Sequence, residues 1–596
     1  MLRGYAEIVA LSHPSPGLVN WGPKPQNTCE PQPHRGWGEC LGRFLVLQHE
    51  AEALTPTPMQ HTTERTLQET TNMQTKFMTA TEAAKLIKDS DTVGLMGGGG
   101  GLMEATHMFE AVQERFLTTQ HPRNLTVIHA LGIGDKKTKG MNCFAHEGLV
   151  KRVIGGHWVW SPAMQQLALA NKIEAYILPG GVSSQLMREI GAGRPGLISH
   201  VGLGTVCDPR HGGGKMNDAA KEDLAEVVTI DNREWLRYKP FPIHVAIVRA
   251  SSADEDGNIS FEHEAANLDA QSLALAARNS GGQVIVQVKE RLPKGALKAR
   301  EVRIPSAWVD AIVVDPQQST SYAIPFDPAF SGELTGAERQ ASEAEDHARE
   351  VAAAQEAFSE RQAVARRAYQ ELFNTGKARP VINYGVGVPD AVAKLIAARN
   401  EQHRIYQTIE HGTYGGTLMD GVLFGYARNA TAMLDAATQF DFYGGGGLDI
   451  AFLGFGEFDE EGSVNVSRLG GVTVGPGGFI DIAQNAKKVV FCGTLAAKGV
   501  RLQTGDGQMR VLQQGAVKKL VKQVDQITFS GPQGLVRQQE VLYLTERASF
   551  RLTPQGVEVF EIAPGIDLQR DVLDQMDFRP RVAKDLKVMD SAHFRA

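Results

Sequence analysis

The feature that most constrains the fold of this chain is an internal repeat. The stretch Ile243–Ser260 (IHVAIVRASSADEDGNIS) resembles a stretch that begins at Asp449 (DIAFLGFGEFDEEGSVNV). Each has an apolar segment followed by an acidic turn that ends in glycine, and the two turns, at 254–257 and 459–462, are 205 residues apart. The same spacing places Val284-Ile285 on Val489-Val490. A constant spacing over several matched segments predicts two similar domains in tandem.

Around the repeat, short apolar segments alternate with glycine-containing turns and helical periodicity. We predict strands at residues 92–96, 125–128, 175–178, 245–248 and 284–288, with a helix at 102–114. Alternating strands and helices are typical of mainly parallel sheets. The expected fold class is therefore α/β, with two similar open, mainly parallel-sheet α/β domains.

Composition divides the chain further. The expected segments are a poorly ordered N-terminal extension (1–75), a first α/β domain (76–330), a charged, Ala-rich helical linker (331–375) and a second α/β domain (376–590). The extension lacks periodicity, and we expect a chain that starts at Met73 to remain active. The linker has almost no aliphatic face, so we expect it to be solvated until a helix near 364–373.

Composition and charge exclude several classes of protein. The net charge of −7 and the pI of about 6.2 argue against a nucleic-acid binder. No apolar run reaches the roughly 18 residues of a membrane helix. The five cysteines form no CxxC pair, and the histidines have no metal-ligand spacing. We expect a cytoplasmic protein that acts on small molecules and binds no metal, nucleic acid or membrane.

One candidate site is the glycine run Gly97–Gly101, which follows the first predicted strand. Ligands gather at the carboxyl ends of parallel strands, and glycines let the backbone approach them closely. The run is compatible with an oxyanion or thioester cradle, with a dinucleotide site, or with a tight turn alone. No acidic residue clearly ends a second strand to bind a ribose, which weakens the dinucleotide interpretation.

A second candidate is Glu410, which a strand at 405–409 delivers to its carboxyl end beside a glycine-rich turn. We expect His129 at the matching place in the first domain, so the carboxylate belongs to the second domain alone. An ordinary salt bridge is the structural alternative for a single glutamate at this place.

Glycine clusters elsewhere are less specific. The run Gly444–Gly447 precedes the strand that begins at Asp449 and could expose backbone N–H groups. The sequence Pro-Gly-Gly occurs at 179–181 and again at 476–478, and either copy could be only a loop.

Long segments in both halves resemble the family I CoA-transferases of the fused, single-chain propionate or acetate CoA-transferase type. The resemblance covers residues from about 75 to 590. The matching segments include GGHW (155–158), GLGT (202–205), DPR (208–210), QFDFY (439–443), GGFIDI (477–482), FCGTL (491–495), LTERA (544–548) and EIAPGIDLQ (561–569).

The resemblance implies a site. The family nucleophile is a glutamate in an E-x-G motif followed by G-G, and a G-G-x-x-D loop lies near it. The implied catalytic residues are Glu410 as nucleophile, Gly412, and Gly446 as a backbone oxyanion donor. The implied substrate-binding residues are Gly97, Gly98, Gly99, Gly100, Gly445, Gly447, His411, Tyr414, Gly415 and Gly416. His411 and Tyr414 replace smaller or apolar residues of the family, and we expect them to alter the acyl pocket.

The resemblance also implies an activity: transfer of CoA between a short-chain acyl-CoA and a free acid such as acetate or propionate. The reaction would be ping-pong, through an acyl-glutamyl anhydride and a glutamyl-CoA thioester. Coenzyme A would be a substrate, with no permanently bound cofactor, and the protein would be a homo-oligomer. By charge alone, Arg210, Lys215, Lys498, Lys518 and Lys519 are candidates for the CoA phosphates.

Three other functions stay open on the sequence. An acyl-CoA hydrolase on the same scaffold would differ only in admitting water to the glutamyl thioester. A non-catalytic metabolite-binding α/β module would not need Glu410. A nicotinamide dehydrogenase is the least supported, because its nucleotide motif is weak.

Overall fold

Two large β-sheets organise the part of the chain that the structure describes. This computed structural model describes residues 76–354 and 358–596, so the predicted extension and the Met73 prediction lie outside the described residues. The described residues belong to one unit that spans 74–596. The boundaries proposed at 330 and 376 stay predictions.

The helices of the described residues vary from a single turn to five turns. In chain order they are α1 (Ala80–Ala84), α2 (Thr106–Thr119), α3 (Pro162–Leu169), α4 (Gly180–Gly191), α5 (Ala270–Asn279), α6 (Pro328–Ser331), α7 (Gly336–Ala353), α8 (Glu360–Tyr369), α9 (Val388–Ala398), α10 (Ala436–Gly444), α11 (Phe479–Asn485) and α12 (Gly531–Val536). α1 begins with a capping box between Thr79 and Glu82. No helix among the described residues is long and apolar enough to cross a membrane.

The strands of the first half build a large sheet and a small antiparallel one. They are β1 (Thr92–Leu95), β2 (Leu125–His129), β3 (Val150–Gly155), β4 (Glu174–Tyr176), β5 (Leu197–Ser199), β6 (Ala225–Ile230), β7 (Arg233–Tyr238), β8 (Val245–Asp254), β9 (Ile259–Ser260), β10 (Gln283–Leu292), β11 (Val302–Ile304) and β12 (Ala311–Val314). In the large sheet, β12, β10, β8, β1, β2, β3 and β4 run parallel.

The second half holds a ten-stranded sheet and several short hairpins. Its strands are β13 (Val381–Tyr384), β14 (Tyr406–Thr408), β15 (Thr413–Tyr414), β16 (Thr417–Leu418), β17 (Ala427–Arg428), β18 (Ala432–Met433), β19 (Ile450–Gly454), β20 (Glu457–Phe458), β21 (Val464–Asn465), β22 (Arg468–Leu469), β23 (Val472–Thr473), β24 (Lys488–Cys492), β25 (Ala496–Ala497), β26 (Arg501–Thr504), β27 (Met509–Gln513), β28 (Val517–Lys518), β29 (Glu540–Leu544), β30 (Ala548–Thr553), β31 (Gly556–Ile562) and β32 (Arg581–Val588).

Strand register reproduces the repeat that the sequence predicts. In the first sheet β8 lies between β1 and β10, and Ala246 pairs with Val284. In the second sheet β19 lies between β13 and β24, and Ala451 pairs with Val489. Ala246 and Ala451 are 205 residues apart, as are Val284 and Val489. The prediction of an α/β fold with two similar, mainly parallel sheets is confirmed.

The acidic turns of the repeat are also built alike. Asp254 Oδ1 accepts the N–H of Asn258 at 2.8 Å, and Asp459 Oδ1 accepts the N–H of Ser463 at 2.9 Å. In each turn a glycine N–H then donates to the carbonyl of the same aspartate, at 2.9 and 3.0 Å. The matched residues therefore preserve the same turn geometry, because in both turns the aspartate side chain accepts a backbone N–H in place of a carbonyl group.

The linker segment is helical but not solvated throughout. α8 buries Ala363, Val364 and Ala368 in the core of the second half, and it begins before the predicted position of 364. α7 buries a polar face, where Asp346 pairs with Arg428. The expectation of a solvated segment was wrong for this face, because burial here depends on ion pairing rather than on aliphatic residues.

Candidate active site

Glu410 stands at the carboxyl edge of the second sheet. It follows β14, which runs parallel to β13 and lies next to it. β15 then returns antiparallel, so the residues from Glu410 to Gly412 form the turn of a hairpin. Gly412 closes this turn: its N–H donates to the Ile409 carbonyl at 3.0 Å, and its φ of +114° favours glycine. The structure therefore gives Gly412 a backbone role.

The strand register shows which residue of the first half corresponds to Glu410. Ile128 and Thr408 occupy equivalent positions, because they pair with Gly94 and Asn383 on the equivalent strands. The counterpart of Glu410 is therefore Ala130, two residues after Ile128, and the sequence-based match to His129 was wrong by one position. Either way the carboxylate has no acidic counterpart in the first half.

The Glu410 side chain packs against a glycine from another strand connection. A Cβ atom placed on Gly478 would lie 3.0 Å from Glu410 Cγ and 3.4 Å from the Phe440 ring. Among the described residues the Glu410 carboxylate makes no hydrogen bond, and the side chain is only partly buried. A carboxylate in this setting is accessible and uncommitted, which is what a nucleophile needs.

Polar side chains of α10 reach the strand that precedes Glu410. Tyr443 is fully buried and exchanges a hydrogen bond with Thr408 Oγ1 at 2.7 Å. Burial raises the pKa of Tyr443, and the Glu410 charge acts in the same direction. Tyr414 is partly buried, and its hydroxyl approaches the amide of Gln439, a fully buried side chain that completes no side-chain hydrogen bond among the described residues.

His411 is buried and hydrogen-bonded to the backbone of the second half. Its side chain is 2% exposed, and Nε2–H donates to the Gly425 carbonyl at 2.6 Å. Burial lowers the pKa of His411, so the ring is neutral near pH 7. Gly415 and Gly416 have positive φ values and pack against Thr431 and the Arg428 carbonyl. All three residues thus shape the hairpin, and a direct contact with substrate stays a prediction.

The structure contradicts the role predicted for Gly446. Gly444 ends α10, and the N–H groups of Gly445, Gly446 and Gly447 donate to carbonyls of that helix at 2.9 Å. These glycines precede β19, whereas Glu410 follows the parallel strand β14. The two sites therefore lie at opposite edges of the sheet, about 15 Å apart for a strand of this length. Gly445 and Gly447 are excluded from the site for the same reason.

The glycine run of the first half does reach the hairpin region. A Cβ atom on Gly100 would lie 2.2 Å from the Val422 carbonyl, and one on Gly425, which accepts from His411, would lie 4.0 Å from Leu102. The N–H groups of Gly98, Gly100 and Gly101 are bonded within the first half. These contacts support a tight turn that packs on the second half; the role of Gly97 to Gly100 in substrate binding stays a prediction.

Glu104 stabilises that run and was missed by the sequence analysis. Its carboxyl group is fully buried and accepts from Gly101 N–H at 3.2 Å, Gly134 N–H at 3.0 Å and the Tyr322 hydroxyl at 2.7 Å. Burial raises the pKa of Glu104 to about 7. The only signal in the sequence is its position three residues after the glycine run. That signal is weak, because a glutamate at this place resembles an ordinary residue at the start of a helix.

The two Pro-Gly-Gly turns, which the sequence left as possible loops, contact each other. Gly180 N–H donates to the Gly477 carbonyl at 2.6 Å, and Gly477 N–H donates to the Gly156 carbonyl at 2.7 Å. Gly181 N–H donates to Asp481 Oδ2 at 3.1 Å. The Gly477-Gly478 turn, which lies beside Glu410, is therefore fixed in place by the first half of the chain.

Most of the candidate phosphate-binding residues have partners. Arg210, Lys215 and Lys518 form ion pairs with Asp208, Asp223 and Asp577, respectively. Lys519 lies 4.1 Å from the centre of the Phe455 ring, which follows β19 at the same sheet edge as Glu410. Burial lowers the pKa of Lys519 to about 8. Lys519 thus lies at the same sheet edge as Glu410, Lys498 is exposed, and binding of the CoA phosphates by any of these residues stays a prediction.

Comparison with known proteins identifies the family of this chain. The coenzyme A transferase family model matches residues 77–315. Acetate CoA-transferase YdiF of Escherichia coli O157:H7 is 41% identical over 524 residues, which are 88% of this chain and 96% of that protein. Caffeate CoA-transferase of Acetobacterium woodii is 42% identical over 530 residues, 87% of this chain and 97% of that protein.

A solved structure is similar over the same range. The acyl-CoA transferase YdiF of Escherichia coli O157:H7, solved as a thioester complex with CoA, has a TM-score of 0.80 and 40% identity. The match covers 87% of this chain and 96% of that one. This chain therefore belongs to the coenzyme A transferase family and is a CoA-transferase.

Proposed function

We propose that this enzyme transfers CoA between a short-chain acyl-CoA and a free carboxylic acid, with Glu410 as the covalent nucleophile. The observation that carries the proposal is the Glu410 carboxylate itself, which has no ion-pair or hydrogen-bond partner within residues 76–354 and 358–596, stands at the carboxyl edge of a parallel sheet and lies against Gly478. The family assignment argues against a non-catalytic module and a nicotinamide dehydrogenase.

The first half-reaction loads CoA onto the enzyme. A Glu410 oxygen attacks the acyl-CoA carbonyl carbon; the C–O bond forms as the C–S bond breaks, giving an acyl-glutamyl anhydride and CoA thiolate. The thiolate then attacks the glutamyl carbonyl carbon. The C–S bond forms, the anhydride C–O bond breaks, and the donor acid leaves as a carboxylate. The product is a glutamyl-CoA thioester.

The acceptor acid reverses these steps. Its carboxylate attacks the glutamyl thioester and expels the thiolate, which then attacks the acceptor carbonyl and releases Glu410 as a carboxylate. Each attack places negative charge on a carbonyl oxygen, so a fixed N–H donor lowers the barrier. Gly478 is a better candidate than Gly446, because it touches Glu410 and its N–H makes no hydrogen bond among the described residues.

The relatives do not agree on one acid. One is named for acetate and another, equally similar, for caffeate. We propose acetate or propionate as the acceptor here, as the resemblance to the single-chain acetate and propionate CoA-transferases implies, with support from the relative that is named for acetate. A panel of acids at fixed acyl-CoA concentration tests this. A preference for caffeate over both short acids would contradict it.

Kinetics of Glu410→Gln test the nucleophile. We expect no measurable transfer, because an amide cannot form the anhydride, while thermal stability stays close to that of the wild type. Glu460→Gln, which changes an exposed glutamate in the same half, is the matched control and should retain full activity. Parallel double-reciprocal lines support the ping-pong order. Acyl-CoA consumption that is independent of added acid would instead indicate a hydrolase.

A further inference from the structure

A second carboxyl group lies near Glu410, and the reaction above does not use it. Asp481 is 3% exposed and lies on α11, three residues after Gly478. Its Oδ2 accepts the N–H of Gly181 at 3.1 Å. Gly181 belongs to α4 of the first half, so Asp481 joins the two halves next to the Gly477-Gly478 turn.

The contact at Asp481 leaves no room for a side chain on Gly181. A Cβ atom on Gly181 would lie 2.5 Å from Asp481 Oδ1 and 2.4 Å from Phe440 Cδ1. Beside it, Gly180 N–H donates to the Gly477 carbonyl at 2.6 Å. The start of α4 is therefore docked on the segment that carries Gly478, and Gly478 in turn touches Glu410.

The charge of Asp481 is not explained by this docking. Among the described residues no Lys or Arg pairs with Asp481; the N–H groups of Gly181, of Val182 and of Asp481 itself stabilise its charge, and the Glu410 carboxylate opposes it. A tether needs only an acceptor, which asparagine would supply, whereas a buried carboxyl group without a cation is unfavourable. A role that requires a titratable group accounts for its presence better.

Burial and, to a smaller extent, the Glu410 charge both act on the protonation of Asp481. The pKa of Asp481 is raised to about 7: burial is the largest cause, the N–H groups of Gly181 and Val182 act in the opposite direction, and the Glu410 charge makes a smaller contribution to the increase. The other titratable groups that face it are the Cys207 thiol and the Tyr238 hydroxyl. Burial raises the pKa of both, so they stay neutral.

We propose that Asp481 is a positioning residue of the transfer reaction, which holds α4 on the Gly477-Gly478 turn and changes its protonation with the charge of Glu410. This inference rests on the proposed function. While Glu410 is a free carboxylate, repulsion favours protonated Asp481. When Glu410 becomes an anhydride or thioester, the repulsion disappears and Asp481 ionises more readily. An ionised carboxylate accepts the Gly181 N–H more strongly, so the contact is tightest while water must be excluded.

Two variants separate the hydrogen bond from the charge. Asp481→Asn keeps an acceptor and removes the charge, whereas Asp481→Ala removes both. We expect Asp481→Ala to lower kcat by roughly 100-fold, as misplaced reacting groups do, with the KM for acyl-CoA little changed. Asp459→Asn is the matched control, since Asp459 is 4% exposed and also accepts backbone N–H groups. It should leave kcat unchanged.

The pH profile carries the decisive readout. In the wild type, the single-turnover rate of Glu410 acylation should rise between pH 6 and pH 8, because ionised Asp481 repels Glu410 and acylation relieves that repulsion. Asp481→Asn should lack the rise but keep most of the activity at pH 6. An unchanged profile in Asp481→Asn overturns the proposal, as does an unchanged kcat in Asp481→Ala. If the wild type forms no adduct at Glu410, the proposed function fails instead.

Discussion

Gly478 and Gly446 show what a single glycine can and cannot reveal at the residue scale. Both belong to glycine-rich segments, and both are compatible with exposed N–H groups in the sequence. Strand direction distinguishes the two glycines. Gly446 precedes the parallel strand β19, whereas Gly478 lies in a connection that reaches Glu410. The sequence motif is the basis for proposing Glu410 as the nucleophile, whereas the proposal of Gly478 as a donor needs the structure.

Replacing Gly478 by alanine tests its role beside Glu410. The added Cβ would lie 3.0 Å from Glu410 Cγ, so the nucleophile and the neighbouring N–H must shift apart. We expect kcat to fall by roughly 100-fold, the loss typical of one oxyanion donor. Gly444→Ala is the control, since its Cβ would have no atom within 4 Å. Equal kinetics for the two variants would remove Gly478 from the mechanism.

Glu104 predicts a pH dependence of stability. Its pKa is raised from 4.5 to about 7 in the folded chain, so between these values the folded state holds a proton that the unfolded state has released. Stability contributed by this group is therefore lost as the pH rises from about 4.5 to about 7. Gln resembles the neutral acid and does not titrate.

The stability of the Glu104→Gln variant relative to the wild type should therefore increase as the pH increases. The difference in Tm, variant minus wild type, should be more positive at pH 8 than at pH 5, whatever its absolute sign. Thermal unfolding at the two pH values measures it. A difference that is the same at both pH values would show that Glu104 is ionised throughout.

At the element scale, α7 is held by charge rather than by apolar contacts. Asp346 is 1% exposed and pairs with Arg428 at 2.8 Å. Arg428 ends β17, which pairs with β16 in the hairpin that follows Glu410. α7 is therefore tied by this ion pair to the β16–β17 hairpin, and a sequence criterion based on aliphatic periodicity could not detect the contact.

Removing Asp346 should destabilise the protein strongly. Asp346→Ala leaves the largely buried Arg428 guanidinium without a principal partner, and we expect a loss of about 3 kcal/mol in the free energy of unfolding. Glu343→Ala, which removes an exposed pair with Arg339 on the same helix, should cost less than 1 kcal/mol, about the usual value for a surface pair. Urea unfolding compares them. Equal losses would contradict the account of α7.

The strands that the sequence predicted correctly share one property. β1, β2, β4, β8 and β10 are buried on both faces over most of their length, and they read as short apolar runs. β3 was missed because Lys151 and Arg152 interrupt its apolar residues. The antiparallel sheet of β5, β7 and β6 was missed because its exposed strands carry mixed polar residues.

At the scale of the whole molecule, the repeat predicts two sheets but not how they meet. The contact between the Pro-Gly-Gly turns at 179–181 and 476–478 joins residues about 300 positions apart, and neither turn contains a motif for the other. Gly156 and Gly181 also belong to this contact, and at both positions a side chain would collide with neighbouring atoms. The site needs both halves, since the first half fixes the segment that lies against Glu410.

The measurement that tests the central claim most directly is intact mass spectrometry after incubation with acetyl-CoA or propionyl-CoA, followed by borohydride reduction and peptide mapping. The account predicts a CoA adduct, or its reduced product, on the peptide that contains Glu410, and none in Glu410→Gln. An adduct on another residue would contradict it, as would full turnover by Glu410→Gln.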